Sequence, residues 1–169
     1  MKLNIKSSLF LGLVVMLGLG SCKKDNISLE NSFPDVPVTV ANKYETFTAP
    51  TVKTSLSGGG AIQIVLSIPA SSGRTIKEIT KVAAGTAYSS IQATTGLYMA
   101  TAQAGTNTNT ITFNTTLAEY TTKTGLAAPT AAVAGTTTAA ILARSFYFMI
   151  TLDNGQVIVP TYVRVYVDK

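Results

Sequence analysis

The side-chain types that carry most enzyme chemistry are rare in this chain. Its 169 residues include no His, no Trp and a single Cys, which is Cys22. Without His, neither a Ser-His-Asp nor a Cys-His catalytic arrangement can form, and zinc loses its usual nitrogen ligand. A single Cys also excludes an internal disulfide and a zinc site built from several thiolates. The composition therefore predicts a protein without enzymatic activity, cofactor or metal.

Carboxylates are the remaining groups that could act as general acids and bases. The eight acidic residues are scattered, with none within two positions of another, so no segment has the ligand spacing of a calcium loop. Glu78 and Glu119 are the pair that a two-carboxylate glycosidase would need, if the fold brought them together. A hydrolase of this kind is the least favoured alternative, because two solvated surface Glu explain the pattern as well.

Tyrosines near the C-terminal end offer a binding chemistry instead. If the chain is extended there, Tyr147, Tyr162, Arg164 and Tyr166 lie on the face opposite to the apolar side chains. Tyr rings and a guanidinium can stack on sugars or anchor a protein partner. The alternative is a purely structural role, since cross-strand aromatic pairs stabilise sheets. These four residues form the predicted binding face.

The first 21 residues have the layout of a secretory signal. Lys2 and Lys6 precede an apolar stretch over residues 9–17, and small residues follow it. The apolar stretch is too short for the roughly 20 residues that a transmembrane helix needs. The sequence therefore predicts a cleaved signal peptide over residues 1–21.

The end of this signal, Leu19-Gly20-Ser21-Cys22, resembles the lipobox of bacterial lipoproteins. The resemblance implies transfer of a diacylglyceryl group to the Cys22 sulfur, cleavage before Cys22 and acylation of the new amino terminus. Three acyl chains exceed the two signals that stable membrane anchoring requires. The alternative is an ordinary signal peptide with an incidental Cys.

The residues after the Cys, Lys23-Lys24-Asp25, are similar to those of lipoproteins from the Bacteroidota. In that group a charged, usually acidic stretch at this position directs lipoproteins to the cell surface, whereas here only Asp25 is acidic. We therefore expect a lipid-anchored protein of the outer membrane, with the cell surface favoured over the periplasmic face.

The net charge gives no reason to expect a nucleic-acid partner. Loss of Lys2 and Lys6 with the signal lowers the charge from +5 to 11 − 8 = +3. No cluster of Lys and Arg remains that could neutralise many phosphates. The predicted partners are the membrane through Cys22 and either a glycan or an envelope or host protein.

Residues 22–35 are polar, which predicts a lipidated tether. Residues 36–169 are predicted to form one domain. Short apolar runs separated by Gly, Ser, Asn and Thr predict an all-β fold, a single immunoglobulin-like sandwich of seven to nine antiparallel strands. The clearest strand is 61–68, where apolar side chains alternate with polar ones. Other strands are predicted in the segments 36–40, 44–54, 97–102 and 108–114.

Several segments are less regular. Ile76, Ile79 and Val82 are three residues apart, which fits either a helical stripe or, as we favour, a strand with a bulge. Residues 116–124 predict a helical turn and residues 126–140 a long loop with a short helix as the alternative. The segment 57–60, Ser-Gly-Gly-Gly, predicts a hairpin connection.

The strongest local signal is Asn154-Gly155 between two apolar runs, which predicts a β-hairpin. Because Pro160 has no N–H to donate, we expect a bulge or break of the pairing near it. A three-residue loop is disfavoured because it would set Phe148 against Pro160. The two-residue turn sets four pairs of side chains opposite each other, and three of the four pairs are purely apolar: Phe146 with Val163, Phe148 with Thr161, Ile150 with Val159, and Leu152 with Val157.

Together these features predict a non-enzymatic, lipid-anchored envelope protein that acts as a binding or structural β-sandwich. A second hypothesis is a fimbrial-type subunit that assembles by strand exchange, with the Val-rich C-terminal strand donated to a neighbour.

Overall fold

The computed structural model describes residues 36–44, 48–129 and 140–168, and these belong to one compact unit, Pro34–Lys169. The predicted signal and tether, with Cys22, lie outside the described residues. So does most of the loop predicted over 126–140.

The described chain is an all-β sandwich, as predicted, with two short helices. Its strands form the sheets β1-β3-β6, β2-β10-β7 and β5-β4-β8-β9, in which every pair is antiparallel except β2 and β10. The strands are β1 (Thr39–Val40), β2 (Thr51–Ser55), β3 (Ala61–Ser67), β4 (Ile76–Gly85), β5 (Gln103–Thr108), β6 (Thr110–Thr116), β7 (Ala140–Ile141), β8 (Ser145–Leu152), β9 (Val157–Ile158) and β10 (Arg164–Asp168). The helices are α1 (Ser89–Gln92) and α2 (Leu117–Thr124), and Ala70–Ser72 forms a 3-10 turn.

One hydrophobic core joins the three sheets. Across it, the ring of Phe113 on β6 packs against Phe146 and Phe148 on β8, at centroid distances of 5.8 and 5.5 Å. Burial of each such ring or aliphatic side chain contributes about 1.5–3 kcal/mol. Strand β3 confirms the clearest sequence prediction, because its predicted apolar face is fully buried: Ile62, Ile64, Leu66 and Ile68.

The spacing of three on β4 is explained by two bulges, which confirms the strand with a bulge and not the helical stripe. The pairing of β4 with β8 shifts by one residue between Ile76 and Glu78, and again between Ile79 and Lys81. Each shift inserts one extra residue on β4, so side chains three apart on β4 oppose side chains two apart on β8. The resulting buried pairs are Ile76 with Leu152, Ile79 with Ile150 and Val82 with Phe148.

The predicted two-residue turn is wrong. Strand β8 pairs Ile150 with Ile158, so the loop has three residues, 153–155, of which only Gly155 has a positive φ, 84°. Three-residue hairpin loops are usually a type I turn followed by one left-handed residue, here Gly155, so this loop needs no left-handed Asn. The Asn154 side chain instead accepts a hydrogen bond of 3.0 Å from the N–H of Gln156. The changed register buries Ile158 and turns two valines outward, contrary to prediction: Val157 and Val159.

The expected break near Pro160 is confirmed. Beyond it, Phe146 and Val163 form an isolated bridge in the predicted register, which is shifted by one residue from that at Ile150. The chain then leaves β8, and β10 lies between β2 and β7. Strands that change sheets in a sandwich do so at bends of this kind. The predicted continuous hairpin is therefore two short pairings with β8, separated by the break at Pro160 and followed by a change of sheet.

Three further predictions have mixed outcomes. The helical turn over 116–124 is confirmed as α2, whose N-cap Thr116 accepts a hydrogen bond of 3.1 Å from the Glu119 N–H. The strand predicted over 97–102 is wrong, since only Met99 forms a bridge there and β5 begins at Gln103. The turn at 57–60 is present, but it joins strands of different sheets and not a hairpin.

Candidate binding face on the outer side of β8

The structure brings together only part of the predicted binding face. Tyr147 and Tyr162 are in contact, with ring centroids 5.7 Å apart. Arg164 and Tyr166 lie on β10 in a different sheet, opposite Thr51 and Lys53 of β2. The predicted binding face is therefore divided between two sheets, because the chain leaves β8 after Val163 and joins β2.

A third tyrosine, which the sequence reasoning missed, completes the first group. Tyr88 packs edge-on against Tyr147 at a centroid distance of 5.2 Å and lies 6.2 Å from Tyr162. Tyr88 is 46% exposed, whereas Tyr147 is 3% exposed. Tyr88 is thus the ring that a partner would meet, and Tyr147 is the support beneath it. Nothing in the periodicity of the surrounding segment marks Tyr88.

The segment that carries Tyr88 folds back tightly over the outer side of β4. A Cβ atom at Gly85 would lie only 2.1 Å from the Ser90 hydroxyl oxygen and 2.5 Å from its Cβ, so this close approach requires glycine. Ile91 of α1 is buried against Ala83 and Tyr147 in a small second core. The packing of α1 against the sheet therefore fixes the position of Tyr88.

Aliphatic side chains extend the tyrosine group along β8. Val157 and Val159 are 55% and 38% exposed, and the buried Ile158 between them shows that both point outward. Val157 pairs with Thr151 on β8, and Met149 is partly buried beside Tyr147. With Tyr88, these two valines are the large hydrophobic side chains that are exposed in the described residues. The outer β8 face is defined here as Tyr88, Tyr147, Met149, Val157, Val159 and Tyr162.

The protonation state of the Tyr147 hydroxyl favours a binding role for this face over a catalytic one. Burial, with smaller effects of Tyr162 and Tyr88, raises the pKa of the Tyr147 hydroxyl above its usual value. The hydroxyl therefore stays protonated and is not a nucleophile at neutral pH. The nearby Lys81 amino group donates a hydrogen bond of 3.3 Å to the Ala93 carbonyl, which ties the end of α1 to β4.

The second tyrosine group lies on the outer side of β2 and β10. Tyr44 stacks on Tyr166 at a centroid distance of 5.8 Å, and the Lys53 amino group lies 5.5 Å from the centre of the Tyr44 ring. Lys53 also forms an ion pair of 2.6 Å with Asp168, and this hydrogen-bonded carboxylate raises the pKa of Lys53. These side chains contact one another, as cross-strand pairs do on the solvated side of a sheet, and the contacts are explained by a structural role.

The candidate carboxylates occupy different elements and have different partners. Glu78 lies on β4 near the Thr80 hydroxyl, whereas Glu119 of α2 forms an ion pair of 2.7 Å with Lys123. The hydrogen bond from Lys123 is the main reason that the pKa of Glu119 lies below its usual value, which keeps it ionised. A glycosidase acid needs the opposite shift.

The Glu119 carboxylate is part of a chain of polar contacts that ends in the core. It accepts a hydrogen bond of 2.9 Å from the Thr115 hydroxyl, which is bonded in turn to the buried Tyr98 hydroxyl at 2.5 Å. The Lys123 amino group lies 4.6 Å from the centre of the Tyr98 ring. Burial raises the pKa of Tyr98 to about 12. The chain anchors α2 to the sheet and satisfies the polar atoms that this packing buries.

Within the described residues, no group of three or more His, Cys, Asp and Glu could hold a metal ion, and no helix has the length and hydrophobicity to cross a membrane. Comparison with known protein families, curated proteins and solved structures finds no match to this chain.

Proposed function

We propose that the protein is a non-enzymatic, lipid-anchored envelope protein that binds a protein partner through the outer β8 face. The observation that carries the proposal is the half-exposed Tyr88 ring on a buried tyrosine, with two exposed valines on the outer side of the same sheet. Most other large apolar side chains of the described residues are buried. An exposed group of this kind therefore indicates a surface that a partner covers.

The composition of the face favours a protein over a glycan. Tyr and Met are enriched at the centres of protein interfaces, where rings held rigidly in place contribute most of the binding energy. Tyr88 meets this condition because Tyr147 supports it from beneath. Val157, Val159 and Met149 add aliphatic surface but no hydrogen-bond donors of the kind that sugar hydroxyls require.

The proposed location of the protein in the outer membrane rests on its amino-acid sequence. The lipobox-like Leu19-Gly20-Ser21-Cys22 supports acylation of Cys22 and insertion of the acyl chains into the outer membrane. The segment 22–35 would then act as the tether, and the Bacteroidota-like residues after the Cys favour the cell surface over the periplasmic face.

Strand exchange remains a second prediction for the function. Its donor would be β10, which is the middle strand between β2 and β7 and carries the buried Val165 and Val167. Donation of this strand would break both pairings within the subunit. The geometry therefore favours the binding module over the strand-exchange subunit.

Site-specific photo-crosslinking in intact cells tests the proposed face. A benzophenone amino acid at position 157 should form a discrete protein adduct under ultraviolet light. Tyr88→Ala should reduce that adduct at least fivefold, because it removes the most prominent aromatic ring of the same face, while the protein stays folded by circular dichroism. The matched control carries the crosslinker at the exposed Asn114 on β6.

The proposal fails if positions 157 and 114 give the same adducts, or if Tyr88→Ala leaves the adduct unchanged. A diffuse glycan conjugate at position 157, in place of a band of defined mass, would exclude a protein as the partner.

A further inference from the structure

A second surface lies at the outer edge of β1, and it includes Pro160 and Thr161 from the segment between Val159 and Tyr162. It is a cavity of about 550 Å³, within the range of known ligand sites. Of the described lining residues only Lys43 carries a charge, so the cavity offers mainly apolar walls and main-chain groups. The lining is Val38, Thr39, Val40, Ala41, Lys43, Thr48, Pro50, Leu66, Pro160 and Thr161.

The backbone of β1 directs hydrogen-bonding groups into this cavity. Strand β1 is an outer member of the sheet β1-β3-β6, and the Ala41 N–H donates 2.8 Å to the Val65 carbonyl. In an antiparallel pair, one residue points its N–H and C=O toward the partner strand, and the next residue points them away from it. Since Ala41 faces β3, the main-chain groups of Val40 face the open edge.

The wall opposite β1 does not supply a pairing strand. Pro160 has no N–H, and the Pro50 carbonyl already accepts a hydrogen bond of 2.9 Å from the Arg164 N–H. Strand β1 is short, and neither of its residues, Thr39 and Val40, is charged, so no charged side chain within the strand opposes a further strand.

We propose that this edge binds an extended peptide segment of a partner protein as an added β-strand. The main chain of the segment would pair with Val40, and every second side chain would enter the cavity between Leu66 and Pro160. An extended peptide is the occupant that presents both a donor and an acceptor to the main chain of Val40 and apolar side chains on one face. This inference does not depend on the proposed role of the outer β8 face.

The test uses the full-length protein, immobilised in detergent, and a phage-displayed library of random heptapeptides. Selected peptides are synthesised with blocked ends, and their affinities are measured by fluorescence anisotropy. Thr161→Trp, which would fill the cavity from its exposed wall, should weaken binding at least tenfold. Thr122→Trp, at an exposed position on α2, is the matched control and should leave the affinity unchanged.

N-methylation distinguishes an added strand from simple burial of apolar side chains. Methylation of one alternate set of peptide nitrogens should abolish binding, because those N–H groups pair with β1, and methylation of the other set should change the affinity less than threefold. The inference is overturned if no peptide is enriched over the Thr161→Trp variant, or if both methylated sets bind equally.

Discussion

At the scale of single residues, burial assigns three tyrosines of identical chemistry to different roles. Tyr98 is a core residue whose hydroxyl bonds to Thr115. Tyr147 is equally hidden but supports the surface ring of Tyr88. Sequence reasoning located the pair of Tyr147 and Tyr162 because both lie on strand-like runs. It missed Tyr88 because a short loop residue has no periodic pattern, and only the tertiary fold brings it over the sheet.

The buried Tyr98 hydroxyl should make stability depend on alkaline pH. Its folded pKa of about 12 lies above the value of about 10 in an unfolded chain, so its contribution is complete below pH 10 and is lost as the pH rises toward 12. The difference corresponds to roughly 2–3 kcal/mol.

Urea unfolding measured between pH 9 and 12 checks this prediction. Tyr98→Phe should lose less stability over that interval than the unaltered protein, because the ionising group is gone. Tyr88→Phe, which removes an exposed hydroxyl, serves as the control and should follow the unaltered protein. Parallel curves for all three proteins would contradict the assignment.

At the scale of elements, sequence patterns were reliable where one local rule acts alone. The alternation in β3 and the helical turn over 116–124 are of this type. The pattern was ambiguous on β4, because a spacing of three becomes a strand only through its bulged pairing with β8. Strand β5 was missed because its side chains are polar and its pairing with β4 depends on backbone hydrogen bonds, which no hydrophobic pattern records.

Gly85 tests whether the packing of α1 positions the outer β8 face. Gly85→Ala should cost about 1–3 kcal/mol of unfolding free energy, because the new methyl group overlaps Ser90 and must displace α1. It should also reduce the photo-crosslink at position 157, since Tyr88 moves with α1.

The matched control is Gly58→Ala, where the nearest atom to the new Cβ would be the Ser55 Cβ at 3.5 Å, an ordinary contact. This variant should change the free energy by no more than about 0.5 kcal/mol. Equal costs for the two substitutions, or an unchanged crosslink in Gly85→Ala, would show that the α1 contact does not fix the face.

At the scale of the whole molecule, the all-β class could be predicted because many short apolar runs and turn residues agree with one another. The distribution of strands among sheets could not, since it is decided where Pro160 ends one pairing and β10 joins β2. The same switch decides which of the predicted binding residues meet. Arg164 and Tyr166 separate from Tyr147 for this reason and not because of their own chemistry.

The predicted location gives a test on intact cells. Protease added to whole cells should digest the protein, because a lipid-anchored domain on the cell surface is accessible from outside. A periplasmic protein monitors leakage and should remain intact. Protection of the protein until the cells are lysed would place it on the periplasmic face and would exclude extracellular partners for the outer β8 face.

The proposed lipid anchor can be examined by mass spectrometry of the protein extracted from membranes. We expect a chain that begins at Cys22 and carries a diacylglyceryl group on the sulfur and an acyl group on the amino terminus. Cys22→Ser should abolish both modifications and release the protein from the membrane fraction. A chain that begins at another residue, or an unmodified Cys22 in the membrane-extracted protein, would rule out the lipid anchor.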